Sequence, residues 1–325
     1  MTVGIDELKP NTIETLLSCG NPSIEYFTRQ DLLEENVGPV ETLWDLSPVQ
    51  KIFKKQQKEG FWRYPGKIRE THANQDYNQL ETFRMLGDLV EKYGLNRAHP
   101  QIKRAALYLF NCQTEEGDFR GIYGNQYATT YSPAIMELLI KTGYVDDHRI
   151  EKGFSWLLSQ RQDDGGWAIP IRTRSKKYND FFNIPEPLYS DPSRPFSHLV
   201  TGMVLRAFAT HPKYRKSKEA HKAGKLLASR FFKPDKYPDR RDKKYWESVA
   251  FPFWFTNVLT ALDSLSLLGF SRKNHQVKEG LDFLRQRQTS DGLFDLKLLM
   301  TRDKDLKYWI CLAICRVFKR FYQKD

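Results

Sequence analysis

The chain has 325 residues, 40% of them hydrophobic and 28% charged, and a formal net charge of +11. That balance excludes a disordered chain, the length exceeds one ordinary compact domain, and no apolar run of about 18 residues is present to span a bilayer. The positive charge favours an acidic partner such as nucleic acid, a phosphorylated substrate or an anionic membrane, without choosing among them.

The amino terminus lacks a basic, apolar and small-residue leader pattern, so a cytoplasmic location is expected. Cys19, Cys112, Cys311 and Cys315 are too few and too scattered for a disulfide framework, so reduced thiols are expected. Residues 11–45 hold two leading helices, near Asn11 to Leu17 and Ser23 to Glu34. From residue 46 onward one phrase recurs: Gln57-Lys-Glu-Gly60-Phe-Trp62, Gln113-Thr-Glu-Glu-Gly117-Asp-Phe119, Gln162-Asp163-Asp164-Gly165-Gly166-Trp167 and Gln288-Thr-Ser-Asp291-Gly292-Leu-Phe294. Each copy closes an amphipathic helix, with Gly free to take positive φ and the aromatic free to fold back.

A more apolar helix follows each phrase, over Leu80 to Tyr93, Ser132 to Tyr144, His198 to Phe208 and Trp309 to Phe321. The long interval between Gln162 and Gln288 hides a degenerate unit, with Ala220 to Phe232 as its first helix and Asn257 to Phe270 as its second. The chain therefore reads as helical hairpins whose second, more apolar helices face the interior. Five hairpins result, and the leading helices can supply a sixth.

The phrase Gln162-Asp163-Asp164-Gly165-Gly166-Trp167 resembles the Gln-Trp repeat of squalene-hopene cyclases and the related repeat of protein prenyltransferase β subunits. The resemblance runs with decay over residues 45 to 320. It implies an all-α fold, an (α/α)6 toroid forming one domain over residues 1–325, with a central apolar cavity of the kind that holds polyprenyl chains. An open superhelix of similar hairpins is the alternative.

The chemistry of those families is not carried over. No Asp-x-Asp-Asp acid is present, and Asp146-Asp147 and Asp163-Asp164 do not begin an Asp-Asp-x-x-Asp metal motif. The Asp-x-Cys pair of the zinc prenyltransferases is also absent, and Cys311 with Cys315 reads as two small residues on one helix face. No cofactor or metal is expected.

Residues where the inner helices begin are the site candidates. Asp118 is a candidate general acid beside Arg120, Tyr123, Asn125, Gln126, Tyr127 and Tyr131, which would bind a hydrophobic ligand or stabilise a cation. The plainer alternative has Asp118 pairing with Arg120 or capping the helix at Tyr127. Asp76 and His198 stand at equivalent points of other repeats, where a helix cap or a satisfied core His is the commoner explanation. Glu247 is a second candidate proton donor, near the aromatic pair Phe253 and Trp254.

Residues 168–195, rich in proline and basic residues, read as a lid-like insertion or a plain surface loop. The leading expectation is a toroid that binds an isoprenoid-like or other hydrophobic small molecule, with cyclase or prenyltransferase-like chemistry if it is an enzyme. The alternative is a non-catalytic toroid binding protein or nucleic acid through its basic surface, with peripheral contact to an anionic membrane also open. A carbohydrate-active barrel, with Trp62, Trp167 and Trp246 as stacking platforms, is a third.

Overall fold

The computed structural model describes residues 6–67, 75–177, 184–299 and 302–323. It is all-α. In chain order the helices are α1 (Thr12–Leu17), α2 (Pro22–Phe27), α3 (Ser47–Phe53), α4 (Tyr77–Tyr93), α5 (Pro100–Asn111), α6 (Tyr131–Leu139) and α7 (His148–Ser159). They continue with the single turn α8 (Pro170–Thr173), then α9 (His198–Thr210), α10 (Lys218–Ala228), α11 (Val258–Leu267), α12 (His275–Gln286) and α13 (Leu306–Tyr322). Two compact units result, Val40–Pro212 and Met1–Pro39 with Lys213–Asp325.

Burial separates the two helices of each hairpin. Eight of nine residues are buried in α6, twelve of thirteen in α9 and eight of ten in α11. The amphipathic partners α5, α7 and α12 bury only five, five and four of twelve. A helix covered on all sides must carry an apolar surface all round, which is the pattern that marked these segments as inner helices. Side chains start them: Asp76 caps α4 by accepting from the Gln79 amide at 2.8 Å, Ser197 caps α9, and Asn257 with Thr260 forms a capping box on α11.

The repeated phrase proves more regular than its letters. In the first, second and last copies a glutamine sits four residues before the glycine whose carbonyl closes the turn, and in the first copy it is Gln56 rather than Gln57. In the third the position is Arg161, which donates to the Gly165 carbonyl at 3.1 Å. Gln56 Nε2 donates to the Gly60 carbonyl at 2.8 Å and to the Gln101 carbonyl at the start of α5 at 2.9 Å. Gln113 does the same to Gly117 and to Arg149 of α7, both at 2.8 Å. One amide group thus closes its own turn and grips the next outer helix, leaving neither donor unpaired.

The aromatic residue completes the joint. Trp62 Nε1 donates to the Ile52 carbonyl at 2.8 Å, and Trp167 Nε1 to the Leu157 carbonyl at 2.6 Å, ten residues back in each case. The aromatic backbone amides are met from the other side by inner-helix hydroxyls: Thr82 takes Trp62, Ser132 takes Phe119 and Thr201 takes Trp167, at 2.9–3.0 Å. In the degenerate unit Trp246 plays the same part, donating to the Lys233 carbonyl at 2.9 Å. All three tryptophans are almost fully buried, so they are joints between helices and not the exposed stacking platforms that a carbohydrate groove requires.

Replacing Trp167 by Phe keeps a ring in place and removes the indole donor. The expected cost is about 1–3 kcal/mol, read as a lower urea midpoint with an unchanged slope.

In the unit that contains both chain ends, the last phrase docks on the first helix. Gln288 Nε2 donates to Thr12 Oγ1 at 2.8 Å and to the Gly292 carbonyl at 3.1 Å. Asn11 Nδ2 reaches the Ser290 carbonyl at 2.9 Å, and α13 packs on α1, α2 and α11. Thr12 therefore stands where Gln101 and Arg149 stand in earlier repeats, and the leading helices supply the hairpin that the last phrase would otherwise lack. The same unit holds a two-residue parallel pairing, Ser248–Val249 with Lys297–Leu298.

Candidate functional site

In the unit 40–212, backbone and hydroxyl bonds tie the starts of α4, α6 and α9 together. The Asp76 amide donates to the Gly121 carbonyl at 2.9 Å, joining the start of α4 to the loop before α6. Thr129 Oγ1 donates to the Ala168 carbonyl at 2.9 Å, and the Ser197 amide to the Trp167 carbonyl at 2.9 Å, which carries the link on to α9. Asp76, the segment 117–131 and His198 are thereby brought to one end of this unit.

Asp118 is fully buried and both of its oxygens are occupied. Arg120 binds it with Nε at 3.1 Å and Nη2 at 3.0 Å, and Thr114 Oγ1 donates to the same carboxylate. Arg120 Nη2 also meets Glu116 at 2.8 Å, and Nη1 meets Asn125 at 3.4 Å. This is the ion-pair alternative stated from the sequence, with the guanidinium fork satisfied inside the protein. Burial works against the charge on Arg120, but the bonds from Asp118 and Glu116 more than offset it and raise its pKa.

Tyr127 lies beneath that guanidinium, whose carbon is 4.8 Å from the ring centroid. Its hydroxyl donates to Glu116 at 2.5 Å, and its ring lies 5.1 Å from that of Tyr189 in the insertion. Burial, then the bond to Glu116, raises the phenol well above its ordinary range. Glu116 is held below the usual carboxylate range: burial opposes this, but hydrogen bonds from Tyr127 and Arg120 prevail.

The amides Asn125 and Gln126 hold the described part of the insertion. Gln126 Nε2 donates to the carbonyls of Ile184 and Glu186, both at 2.9 Å, and its oxygen accepts from the Leu188 amide at 3.0 Å. Asn125 donates to the Pro185 carbonyl. Gln162 grips the far end through the Asp191 and Arg194 carbonyls at 2.6 and 2.9 Å. Residues 178–183 of the insertion lie outside the described residues.

Around Asp76 the neighbours are a phenol and a thiol. Tyr108 donates to it at 3.5 Å, and Cys112 is pushed up to about 12 by burial first and then by the charge of Asp76. Tyr123 and Tyr131 meet edge-on at 5.3 Å, and Tyr131 meets Phe83 of α4 at 5.9 Å. His198 is buried as the first residue of α9, behind its cap Ser197.

The remaining candidates belong to the other unit. Glu247 pairs with Arg287 at 3.2 Å, and both side chains are more than two-fifths exposed, so the pair is screened by solvent. Phe253 packs edge-on against Phe251, which stacks on Trp309 of α13 with centroids 5.3 Å apart. Trp254 meets Phe255 at 5.4 Å.

Comparison with known proteins finds one family-model match, over part of the chain. Residues 71–182 fit the family model of the squalene-hopene cyclase C-terminal domain. Over this stretch the chain is squalene-hopene cyclase-like. Its likeness to solved structures is distant. A protein from Actinoplanes is 14% identical over 86% of this chain and 87% of its own, with a TM-score of 0.47. The type II terpene cyclase MstE from Scytonema is 11% identical over 86% of this chain and 97% of its own, at 0.34. A variant of it in complex with geranylgeranyl dihydroxybenzoate is 12% identical over 93% and 98%, at 0.39.

The unit 40–212 also contains charged residues that its sequence did not single out. Glu137 of α6 is buried and pairs with Arg206 of α9 at 2.6 Å and with Lys141 at 2.7 Å; Lys141 reaches Glu91 of α4 at 2.5 Å. Four charges thus join three inner helices. Their signal was present: Glu137 is the one charge in the run Ala134 to Ile140, and Arg206 the one in Leu199 to Ala209. Glu116 and Tyr189 were missed for a different reason, since nothing in their spacing of 73 residues predicts a meeting at 3.2 Å.

Proposed function

We propose that this protein binds an isoprenoid-like or other hydrophobic small molecule among its inner helices, within the single toroid expected from its repeats. The observation that carries the reading is the squalene-hopene cyclase C-terminal-domain match over residues 71–182, which falls on α4 to α8. Inner helices that are buried along nearly their whole length and are largely apolar outside the Glu137–Arg206 pair support it, because a greasy ligand needs such walls. MstE, a type II terpene cyclase, is described in complex with geranylgeranyl dihydroxybenzoate, the class of compound to try first.

Within this proposal Tyr123, Tyr131 and His198 are the contact candidates of the unit 40–212, and Phe253 and Trp254 are those of the other unit, each taken by itself. Asp76, Asp118 and Glu247 are the candidate acids if chemistry occurs. The bonding of Asp118 to Arg120 and Thr114 favours a role in building the site over a role in proton transfer.

The test is a titration with geranylgeraniol in mild detergent, followed by tryptophan fluorescence. Saturable binding near one molecule per chain is expected, weakened by Tyr131→Ala. A flat response to geranylgeraniol and to shorter prenyl alcohols alike would reject the reading.

A further inference from the structure

Nine of the chain's eleven net positive charges come from residues 213–244, which carry thirteen lysines and arginines against four acids. Ten of those cations are exposed. Of the four acids, Asp235 is buried and binds the Tyr237 amide at 3.0 Å, Asp242 is paired with Lys244 at 3.1 Å, and Glu219 and Asp239 are half-buried.

The stretch is organised around α10. Lys218, Lys222 and Lys225 are spaced by four and three residues along its exposed side, while Ala220, Ala223, Gly224 and Leu227 are buried on the other. Lys213 and Lys216 extend the stripe from the preceding turn, and both are exposed. The result is a predominantly cationic face on an outer helix, in the unit of residues 1–39 and 213–325.

We infer that this α10 face docks on an anionic lipid surface. Nine of the thirteen cations are lysines, compact charges that suit a diffuse array of headgroups better than bidentate readout. The neighbouring rings are engaged by cations: Lys213 lies 5.1 Å from the Tyr214 ring centroid, and Arg240 and Lys244 lie 5.0 and 5.7 Å from that of Tyr245. Open aromatic faces on which bases would stack are therefore not the feature of this surface. The choice of lipid over nucleic acid leans on the hydrophobic ligand proposed above, since such a ligand partitions into membranes and this contact would bring the protein to its supply.

The experiment is sedimentation of the full chain with vesicles of phosphatidylcholine alone or with roughly one third phosphatidylglycerol. Each lysine near such a surface contributes about a fivefold factor, so the triple variant Lys218→Glu, Lys222→Glu, Lys225→Glu should bind at least about a hundredfold more weakly. The expected result is binding to the anionic vesicles only, its loss in the triple variant at unchanged melting temperature, and its loss in about 1 M salt. Equal binding to both vesicles, full binding by the triple variant, or tighter binding of a nucleic-acid duplex than of anionic vesicles at the same salt would overturn it. The geranylgeraniol titration separates the two proposals: the triple variant should bind the alcohol as the wild type does. A wild type that binds anionic vesicles but no prenyl alcohol would sink the ligand proposal and leave the lipid-docking face standing.

Discussion

Gly117→Ala is expected to destabilise the protein by about 3 kcal/mol, against about 1 kcal/mol for Gly269→Ala. Both glycines have positive φ, +108° and +82°. They differ in what a side chain would meet. A Cβ on Gly117 would lie 2.6 Å from the Lys152 carbonyl of α7, while nothing stands within 4 Å of one on Gly269. The first substitution forces an outer helix away from the turn that Gln113 grips, and the second only strains the backbone. Gly60, at φ +97° and with a Cβ that would clash with the Arg104 carbonyl, should behave like Gly117. Urea denaturation of the three variants checks this, and equal losses at Gly117 and Gly269 would show that the close approach carries no weight.

Removing one member of the buried charge cluster should have an effect at least as large. Glu137→Leu leaves Arg206 and Lys141 without their shared carboxylate, at an expected cost of about 3–5 kcal/mol. That is a large part of the stability of an ordinary protein, about 5–15 kcal/mol. Replacing Arg206 by Met in the same chain should return part of the loss, because the uncompensated buried charge is then gone.

The cluster also sets a pH dependence. Burial disfavours the charged Glu137, but Arg206 and Lys141 overcome it and hold its pKa below the ordinary value of 4.5. A group depressed in the folded state stabilises above its unfolded pKa and loses that contribution as pH falls through the folded one. Wild-type stability should therefore fall as pH drops below about 4.5, and Glu137→Leu should remove part of that slope. A variant with the wild-type slope would place the acid sensitivity elsewhere.

The fold was legible because its signal is periodic. A Gly followed by an aromatic after each amphipathic helix, and a more apolar helix after that, recurs often enough to locate α4, α6, α9 and α13 from letters alone. The register of the first phrase was not legible, since Gln56 and Gln57 are adjacent and only the bonds to Gly60 and Gln101 choose between them. The hidden unit was found by interval and not by motif, and Trp246 binding the Lys233 carbonyl shows what the motif had become.

The site was less legible because pairing is a matter of three dimensions. Asp118 and Arg120 are two residues apart, so their ion pair could be weighed in advance. Glu116 and Tyr189 are not near in sequence, and neither are Glu137 and Arg206. A lone charge inside an apolar helix is the one sequence signal that would have found the second pair, because a buried charge is retained only with a partner.

The most direct test of the ligand-holding reading is native mass spectrometry of the purified full chain, with the bound material extracted and identified. The account predicts a near-stoichiometric hydrophobic small molecule, displaced by added geranylgeraniol and reduced in Tyr131→Ala. A chain that flies bare, and that stays bare after incubation with prenyl alcohols, would contradict it.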